Sequence, residues 1–468
     1  MADRVDVAVI GAGHAGLNAI KEIRKVTDDY VLINGGGLGT TCARVGCMPS
    51  KVAVHLAEVY QTRKQFQRYG IDGADALRID QGTALEHVRD LRDTFVDLVL
   101  ANTTDEMGDE LIEGFARFID AETVQVGERV IRADAFVIAS GASTVVPSGW
   151  EERLGDRILT VESLFEQDRL PESVAVLGLG PIGIEIGQAL HRLGVCVVGI
   201  EAGEKLARLQ DPVVSQAAVD ILRREFPVWL GQPAEVEPSG DRVRVRAGDQ
   251  EMCVEKLFVA MGRRPNLAGL GLERVGCQLD PKGVPLHDPQ TLRVGPFPIY
   301  LAGDATGGMA NLQTAAEQGR IAGFNACHGA PLRFDPKTPM SIIFSDPNIA
   351  VVGTPFSALD QAAVVVGQQR FGPVGRALIM GQNRGLMRLY ADRRTGLVLG
   401  GAMVGPRCEH LAHLLAWGIQ CRLSVREMLK MPFYHPVIEE ALQDCLHELD
   451  RRLDAPARMI SRPSSAVA

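Results

Sequence analysis

Val5-Asp-Val-Ala-Val-Ile-Gly-Ala-Gly-His-Ala-Gly16 and Ser173-Val-Ala-Val-Leu-Gly-Leu-Gly-Pro-Ile-Gly183 carry one pattern twice. Each is a short apolar run followed by Gly-x-Gly-x-x-Gly and a helix-periodic stretch. The reading is strand, tight glycine turn, helix, with the free N–H groups of the helix start aimed where a pyrophosphate can sit. The first helix pattern runs through Arg24 and a second strand, Tyr30 to Ile33, ends at Asn34. In the other copy the helix runs to Leu193, Gly194 caps it, and Val195 to Ile200 ends at Glu201. Gly11 to Asn34 and Gly178 to Glu201 are both 23 residues apart. One glycine fingerprint is a weak signal, but chance must produce this spacing twice. The expected fold class is therefore α/β, with two Rossmann-like dinucleotide-binding units.

Composition is compatible with this and excludes other classes. A chain of 468 residues with 46% apolar content can bury several cores. A net charge of −9, with no basic run, argues against nucleic-acid binding. No apolar run reaches the roughly 20 residues that span a bilayer. Asp3 and Asp6 stand where a signal peptide would need basic and then apolar residues, so a cytoplasmic location is expected. Nine scattered cysteines do not form a secreted disulfide framework. One functional pair plus reduced thiols fits better, and no metal-ligand spacing is found.

The chemistry falls on Leu38-Gly-Thr-Thr-Cys-Ala-Arg-Val-Gly-Cys-Met-Pro-Ser-Lys51. Cys42 and Cys47 are separated by four residues, and Pro49-Ser50-Lys51 opens a helical Ala/Val/Leu run. That puts Cys47 near a helix N-terminus, where the backbone dipole favours a thiolate, and Cys42 in a less regular turn before it. Zinc sites commonly use shorter spacings and further Cys or His. From spacing alone, two unrelated buried thiols stay an equal alternative.

The flanks, Gly39 to Lys51, resemble the redox-active disulfide region of the flavin-dependent (class I) pyridine nucleotide-disulfide oxidoreductases, and the resemblance extends over nearly the whole chain. The resemblance implies FAD in the first unit and a nicotinamide cofactor in the second. It further implies that Cys42 exchanges with substrate sulfurs and that Cys47 lies against the flavin as the charge-transfer thiolate. Lys51 would meet Glu185 beside the flavin. Gly11, Gly13, Gly16, Asn34, Thr41, Lys51, Ala116, Gly303, Asp304 and Leu312 would contact FAD, and Gly178, Gly180, Gly183, Glu201 and Gly262 the nicotinamide cofactor. Ile299-Tyr-Leu-Ala-Gly303-Asp304 matches the second flavin motif, with Asp304 on a ribityl hydroxyl. A helix from about Met309 to Gly323 would aim its positive end at the flavin pyrimidine. Gly262-Arg-Arg-Pro-Asn266 resembles the family's exit from the nicotinamide unit. Residues 1–146 and 271–336 would form the FAD unit, 147–270 the NAD unit inserted into it, and 337–468 an α+β dimerisation domain.

Pro432-Phe-Tyr-His435-Pro436-Val-Ile-Glu439-Glu440 sits near the end of that last unit. The spacing allows a carboxylate five residues on to orient an imidazole. His435 and Glu440 match the family's acid–base pair, which completes the active site of the other subunit of a homodimer. Glu439 is expected to be solvated. So are Lys64, Arg68, Glu86, Arg89 and Arg92 in the charged helical stretch from Val52 to about Asp105. The residues from Arg458 to Ala468 read as a polar, loosely docked tail.

Two departures from the family bear on specificity. Asn34 stands where an acid is expected for the ribose hydroxyls; its amide lacks the charge-assisted strength of a carboxylate. Leu312-Gln313-Thr314 replaces the Ala-His-Lys common in lipoamide dehydrogenases. Glu201 accepts from a ribose 2′-hydroxyl and repels a 2′-phosphate, so NAD is expected over NADP, although Lys205 and Arg208 follow it. Within the family the pattern is most like the dihydrolipoamide dehydrogenases, with a lipoyl-bearing carrier as partner. Glu201 disfavours a glutathione reductase. Arg458 to Ala468 hold no cysteine pair of the kind mercuric and large thioredoxin reductases carry there. Arg44, between the redox cysteines, keeps a different disulfide or metal substrate as the alternative. A flavin-bound redox sensor with little turnover is the non-enzymatic one.

Overall fold

The computed structural model describes residues 3–308 and 310–454, so Met309 and the tail expected beyond Arg458 lie outside the described residues. In the first unit, strand Asp3–Ile10 lies between Tyr30–Asn34 and Arg129–Ile138, parallel to both, with Val9 opposite Leu32 and Val137. Its last four residues are buried, as a parallel strand covered on both faces requires. Leu111–Glu113 extends one edge. Ala116–Asp120 and Thr123–Val126 continue the sheet antiparallel, and Ile299–Leu301 pairs in parallel with Arg129–Ile138. A segment from far along the chain thus completes the first sheet.

Helix His14–Ile23 packs unusually close to helix Leu312–Ala326. A Cβ on Gly319 would stand 2.1 Å from the Ala15 carbonyl oxygen, and one on Gly323 2.4 Å from that of Ala19. Only glycine permits that approach, which brings the second helix start to the same cleft as the first glycine turn.

The second unit is a parallel sheet in the order Val228–Leu230, Cys196–Glu201, Ser173–Leu177, Lys256–Val259, Ile158–Leu159. A three-stranded antiparallel sheet, Glu235–Ser239, Arg242–Ala247 and Gln250–Val254, is part of it. The chain enters and leaves through one ribbon, in which Ala142–Thr144 pairs with Arg263–Pro265.

The third unit is a five-stranded antiparallel sheet ordered Met340–Ile343, Asn348–Gly353, Val398–Gly405, Leu386–Asp392, Val364–Arg370. Helices Cys408–Gln420 and Glu440–Asp450 cover it. Leu442, Cys445, Leu446 and Leu449 are all buried, one helical stripe at spacings of three and four. Burying each such leucine is worth about 1.5–3 kcal/mol.

Two polar features tie the units together, and the sequence reading had neither. Arg89 and Arg92 are not solvated. The Arg89 guanidinium donates to the carbonyls of Phe165 (3.0 Å) and Gln167 (3.1 Å), and Arg92 pairs with Asp93 and Glu166. Helix Gln81–Ala101 is thereby fastened to the approach to the second unit. Asp211, 1% exposed, caps helix Pro212–Leu222 through Val213 N–H at 3.0 Å. It also accepts from Arg388 and from the Tyr390 hydroxyl, each at 2.7 Å, pinning the second unit to the third. A buried carboxylate needs such partners, and burial and Asp211 together push the Tyr390 phenol up from its ordinary value.

Candidate active site

Cys47 is the first residue of helix Cys47–Thr62, with Gly46 as its cap, at the end where the helix leaves backbone N–H groups unpaired. Cys42 does not lie in an irregular turn. It belongs to a four-residue helix, Thr41–Arg44, whose start is closed by the Thr40 hydroxyl accepting from Ala43 N–H at 3.3 Å. This places the two sulfurs within hydrogen-bonding reach. The Cys47 thiol is lowered to about 6, first by the hydrogen bond from Cys42 and then by the Lys51 charge, against the opposing effect of burial. Cys42 is pushed up by that same bond and by burial. The pair is thus divided into one thiolate and one thiol at neutral pH.

Lys51, one helical turn on, donates to Glu185 Oε2 at 2.6 Å. Glu185 is buried in helix Pro181–Arg192, and its other oxygen accepts from Phe344 N–H at 2.8 Å. A carboxylate from the second unit is therefore held by a cation from the first and a backbone donor from the third. Both cysteines, Thr41, Lys51, Glu185, Gly13, Gly303, Asp304 and Leu312 line one cleft of about 400 Å³.

Asp304 follows strand Ile299–Leu301 in the short turn Gly303–Thr306. Burial pushes its carboxyl up, and Arg263, 3.8 Å away, opposes this. The buried Arg263 Nε has no hydrogen-bond partner among the described residues. An orphaned donor beside a carboxylate at a cleft wall fits a polar ligand group that neither yet serves. Arg263, Phe344 and His14 also line the cleft with no sequence pattern to mark their roles, although Arg263 stands in the Gly262-Arg-Arg-Pro stretch. The helix beyond begins at Leu312, three residues later than expected, because Asn311 caps it by accepting from Thr314 N–H at 2.7 Å. Its N-terminal end faces the cleft.

A second, open cavity of about 980 Å³ runs from Gly11 and Gly13 past Asn34 and Gly35–Gly37 to Ala116 and Asn266. The two glycine turns match in detail. A Cβ on Gly11 would stand 2.3 Å from the Ala139 oxygen, and one on Gly178 2.5 Å from that of Ala260. Gly16 and Gly183 would each bring a Cβ to 1.9 Å from the first glycine's carbonyl. Around the middle glycines, Gly13 and Gly180, a Cβ would meet nothing closer than 4.0 Å, which leaves the turn open to a ligand. Gly262 follows strand Lys256–Val259 with φ +111°, and its carbonyl accepts from Val145 N–H at 3.0 Å.

At the second-strand ends, Asn34 Oδ1 accepts from Ala12 N–H at 3.1 Å while Nδ2 donates to the Gly36 carbonyl at 2.6 Å. Glu201 Oε2 accepts from Leu179 N–H at 2.8 Å, and Oε1 from Gly203 N–H at 3.1 Å.

His435 Nδ1 lies 2.7 Å from Glu440 Oε1, and Glu440 Oε2 accepts from Val437 N–H at 3.1 Å. The hydrogen bond to His435 holds the Glu440 carboxyl below its ordinary value. The imidazole side chain is 78% exposed and does not line the cleft of its own chain. Glu439, half-buried, precedes the helix as its cap residue.

A dithiol centre between two glycine-turn units, with a separate α+β unit presenting a histidine–carboxylate pair outward, defines a flavoprotein disulfide oxidoreductase. The chain belongs to the pyridine nucleotide-disulphide oxidoreductase family: residues 5–319 match that family, and residues 339–445 match its dimerisation domain. It is similar to the dihydrolipoyl dehydrogenase of Mycobacterium leprae, 31% identical over 471 residues that cover 95% of this chain and 98% of that one. It is also similar to the mercuric reductase of Bacillus cereus, 29% identical over 456 residues, 95% of this chain and 72% of that one. The crystal structure of LpdA from Mycobacterium tuberculosis matches with a TM-score of 0.83 at 26% identity, over 95% of this chain and 100% of that one. The protein is therefore an oxidoreductase with FAD and NAD as cofactors, and its dimerisation domain supports a homodimer. No helix among the described residues is long and apolar enough to cross a membrane.

Proposed function

We propose that the enzyme oxidises a dihydrolipoamide-type dithiol to its disulfide and reduces NAD+, with the dithiol carried on a lipoyl-bearing protein. The observation that carries this reading is the divided cysteine pair. Cys47 is stabilised as a thiolate at a helix start beside the Lys51–Glu185 pair, and Cys42 is the thiol. FAD, when bound, relays two electrons from this pair to NAD+.

This reading gives each residue a role. The first cofactor would be held by Gly11, Gly13, Gly16, Thr41, Lys51, Ala116, Gly303, Asp304 and Leu312, with Asn34 lining the same cavity as Gly11 and Ala116. The second would be held by Gly178, Gly180, Gly183, Glu201 and Gly262, with the Glu201 carboxylate selecting the unphosphorylated ribose. Glu440 holds His435 through Nδ1, which leaves Nε2 to accept a substrate thiol proton; in the dimer this base is His435 of the partner subunit. The resulting thiolate attacks Cys42 Sγ, the Cys42–Cys47 bond breaks, and Cys47 leaves as a thiolate. The second substrate sulfur loses its proton to solvent and attacks the substrate sulfur of the mixed disulfide, releasing the product disulfide. Cys42 leaves as a thiolate and takes the proton held by His435. The substrate is oxidised and the cysteine pair reduced by the same two electrons.

The similarity to the mercuric reductase favours a second reading, NADH- or NADPH-driven reduction of another disulfide or of a mercuric ion as substrate. Anaerobic titration with dihydrolipoamide, followed by NAD+, separates the two. Bleaching of the flavin band by dihydrolipoamide and its return with NAD+ is the expected result. Flavin that dihydrolipoamide leaves oxidised, but NADH or NADPH reduces, removes lipoyl as the substrate. His435→Gln should slow dithiol reduction by roughly 100-fold or more, the loss of a general base, in stopped-flow measurements.

A further inference from the structure

We infer that the adenylate half of FAD is anchored by Arg44 and Phe115, and that Asn34 is a brace for the glycine loop and not the ribose ligand. This rests on the first unit holding FAD, as proposed above. Both ends of the Asn34 amide are engaged within the chain, one by Ala12 N–H and the other by the Gly36 carbonyl. The stretch it braces, Gly35-Gly-Gly37, is bare, and two side chains lie on it. The Phe115 ring comes within 2.5 Å of where a Gly35 Cβ would be, and the Arg44 guanidinium within 2.5 Å of where a Gly37 Cβ would be. Side chains at 35 and 37 would displace both.

Each of these groups has unspent binding capacity. Arg44 donates one N–H, from Nη1, to the Gly37 carbonyl at 3.0 Å and has no carboxylate partner among the described residues. Phe115 is 81% exposed, an unusual exposure for a large apolar ring, and lines the same cavity as Arg44 and Asn34. A planar cation and an aromatic face flanking a glycine loop at the strand end suit a purine nucleotide. The ring stacks on the base, and the guanidinium donates to ribose or phosphate oxygens. The cation supplies the charge-assisted contact that an acid would make at position 34 in the usual fingerprint.

The test is flavin affinity of the full-length chain after flavin removal, followed by quenching of flavin fluorescence, with FAD and FMN as probes because FMN lacks the adenylate half. Arg44→Ala should weaken FAD roughly 10- to 100-fold and leave FMN unchanged, Arg44→Lys should recover part of the loss, and Asn34→Ala should cost at most a few-fold. Unchanged FAD affinity in Arg44→Ala, equal weakening of FAD and FMN, or a loss in Asn34→Ala as large as in Arg44→Ala would each overturn the inference. Failure of the unmutated chain to take up FAD would instead overturn the cofactor assignment of the first unit.

Discussion

The two glycine turns are superimposable in their chemistry, and the strand ends beside them are not. Gly11 and Gly178 contact the same backbone position of the neighbouring strand, and Gly16 and Gly183 allow the same helix-on-strand approach. Beyond the turn, Glu201 ends the second strand as a carboxylate with two accepted backbone bonds, whereas Asn34 accepts one and donates one. Both side chains brace the loop that follows. Only the carboxylate carries charge, so only the second unit can discriminate a ribose hydroxyl from a phosphate by repulsion at that point. The glycine turn sets that a dinucleotide binds; the strand end and its neighbours set which one and how tightly.

The comparison breaks most severely at the packing glycines. Gly183→Ala places a methyl 1.9 Å from the Gly178 carbonyl and must shift the helix that carries Glu185. Turnover with NAD+ should fall on the order of 100-fold while the protein stays yellow, since misplacement by an ångström is that costly. Gly16→Ala should instead release flavin, visible as a colourless protein; retention of full colour would contradict the close packing. Next in size is the strand-end swap. Glu201→Asn should lower kcat/KM for NAD+ roughly tenfold and erase its advantage over NADP+, whereas an undiminished preference would move selectivity elsewhere.

The seam between the units offers a pH test. Cys47 is lowered to about 6, so alkylation of the dithiol-reduced enzyme by iodoacetamide should be fast above that pH and fall as pH drops through it. Lys51→Met removes a stabilising cation and should move the midpoint upward; a midpoint that stays near 6 would leave Lys51 without that role. The smallest effect is expected from Asn34→Glu, the other half of the swap. It should change FAD affinity by no more than about threefold, because the stronger contacts lie on Arg44 and Phe115.

Much of this arrangement was legible because its determinants are local. The glycine fingerprints, the helix start behind Pro49-Ser50-Lys51, and the five-residue spacing of His435 and Glu440 are fixed by chain geometry within a turn or two. The 2.7 Å contact of that pair follows from the spacing. What was misread depends on distant segments or on elements too short to show a period. Arg89 and Arg92 read as solvent-facing charges, but Phe165, Gln167 and Glu166, which engage them, lie more than 70 residues on. Cys42 read as irregular because a four-residue helix leaves no periodicity. At Asn34 nothing in the local sequence reports that the Ala12 N–H and the Gly36 carbonyl engage its amide.

By itself the sequence determined two dinucleotide units, a dithiol at a helix start and a histidine–carboxylate pair. Each is a short-range pattern in which backbone conformation and side-chain identity suffice. Only the tertiary structure decided that Glu185 meets Lys51 across 134 positions under a Phe344 N–H, that Arg263 faces Asp304, and that Arg44 and Phe115 share one glycine loop. The first two contacts join segments of different units, because a carboxylate withdrawn from water must find donors wherever the packed chain brings them, and the third joins distant segments of the first unit.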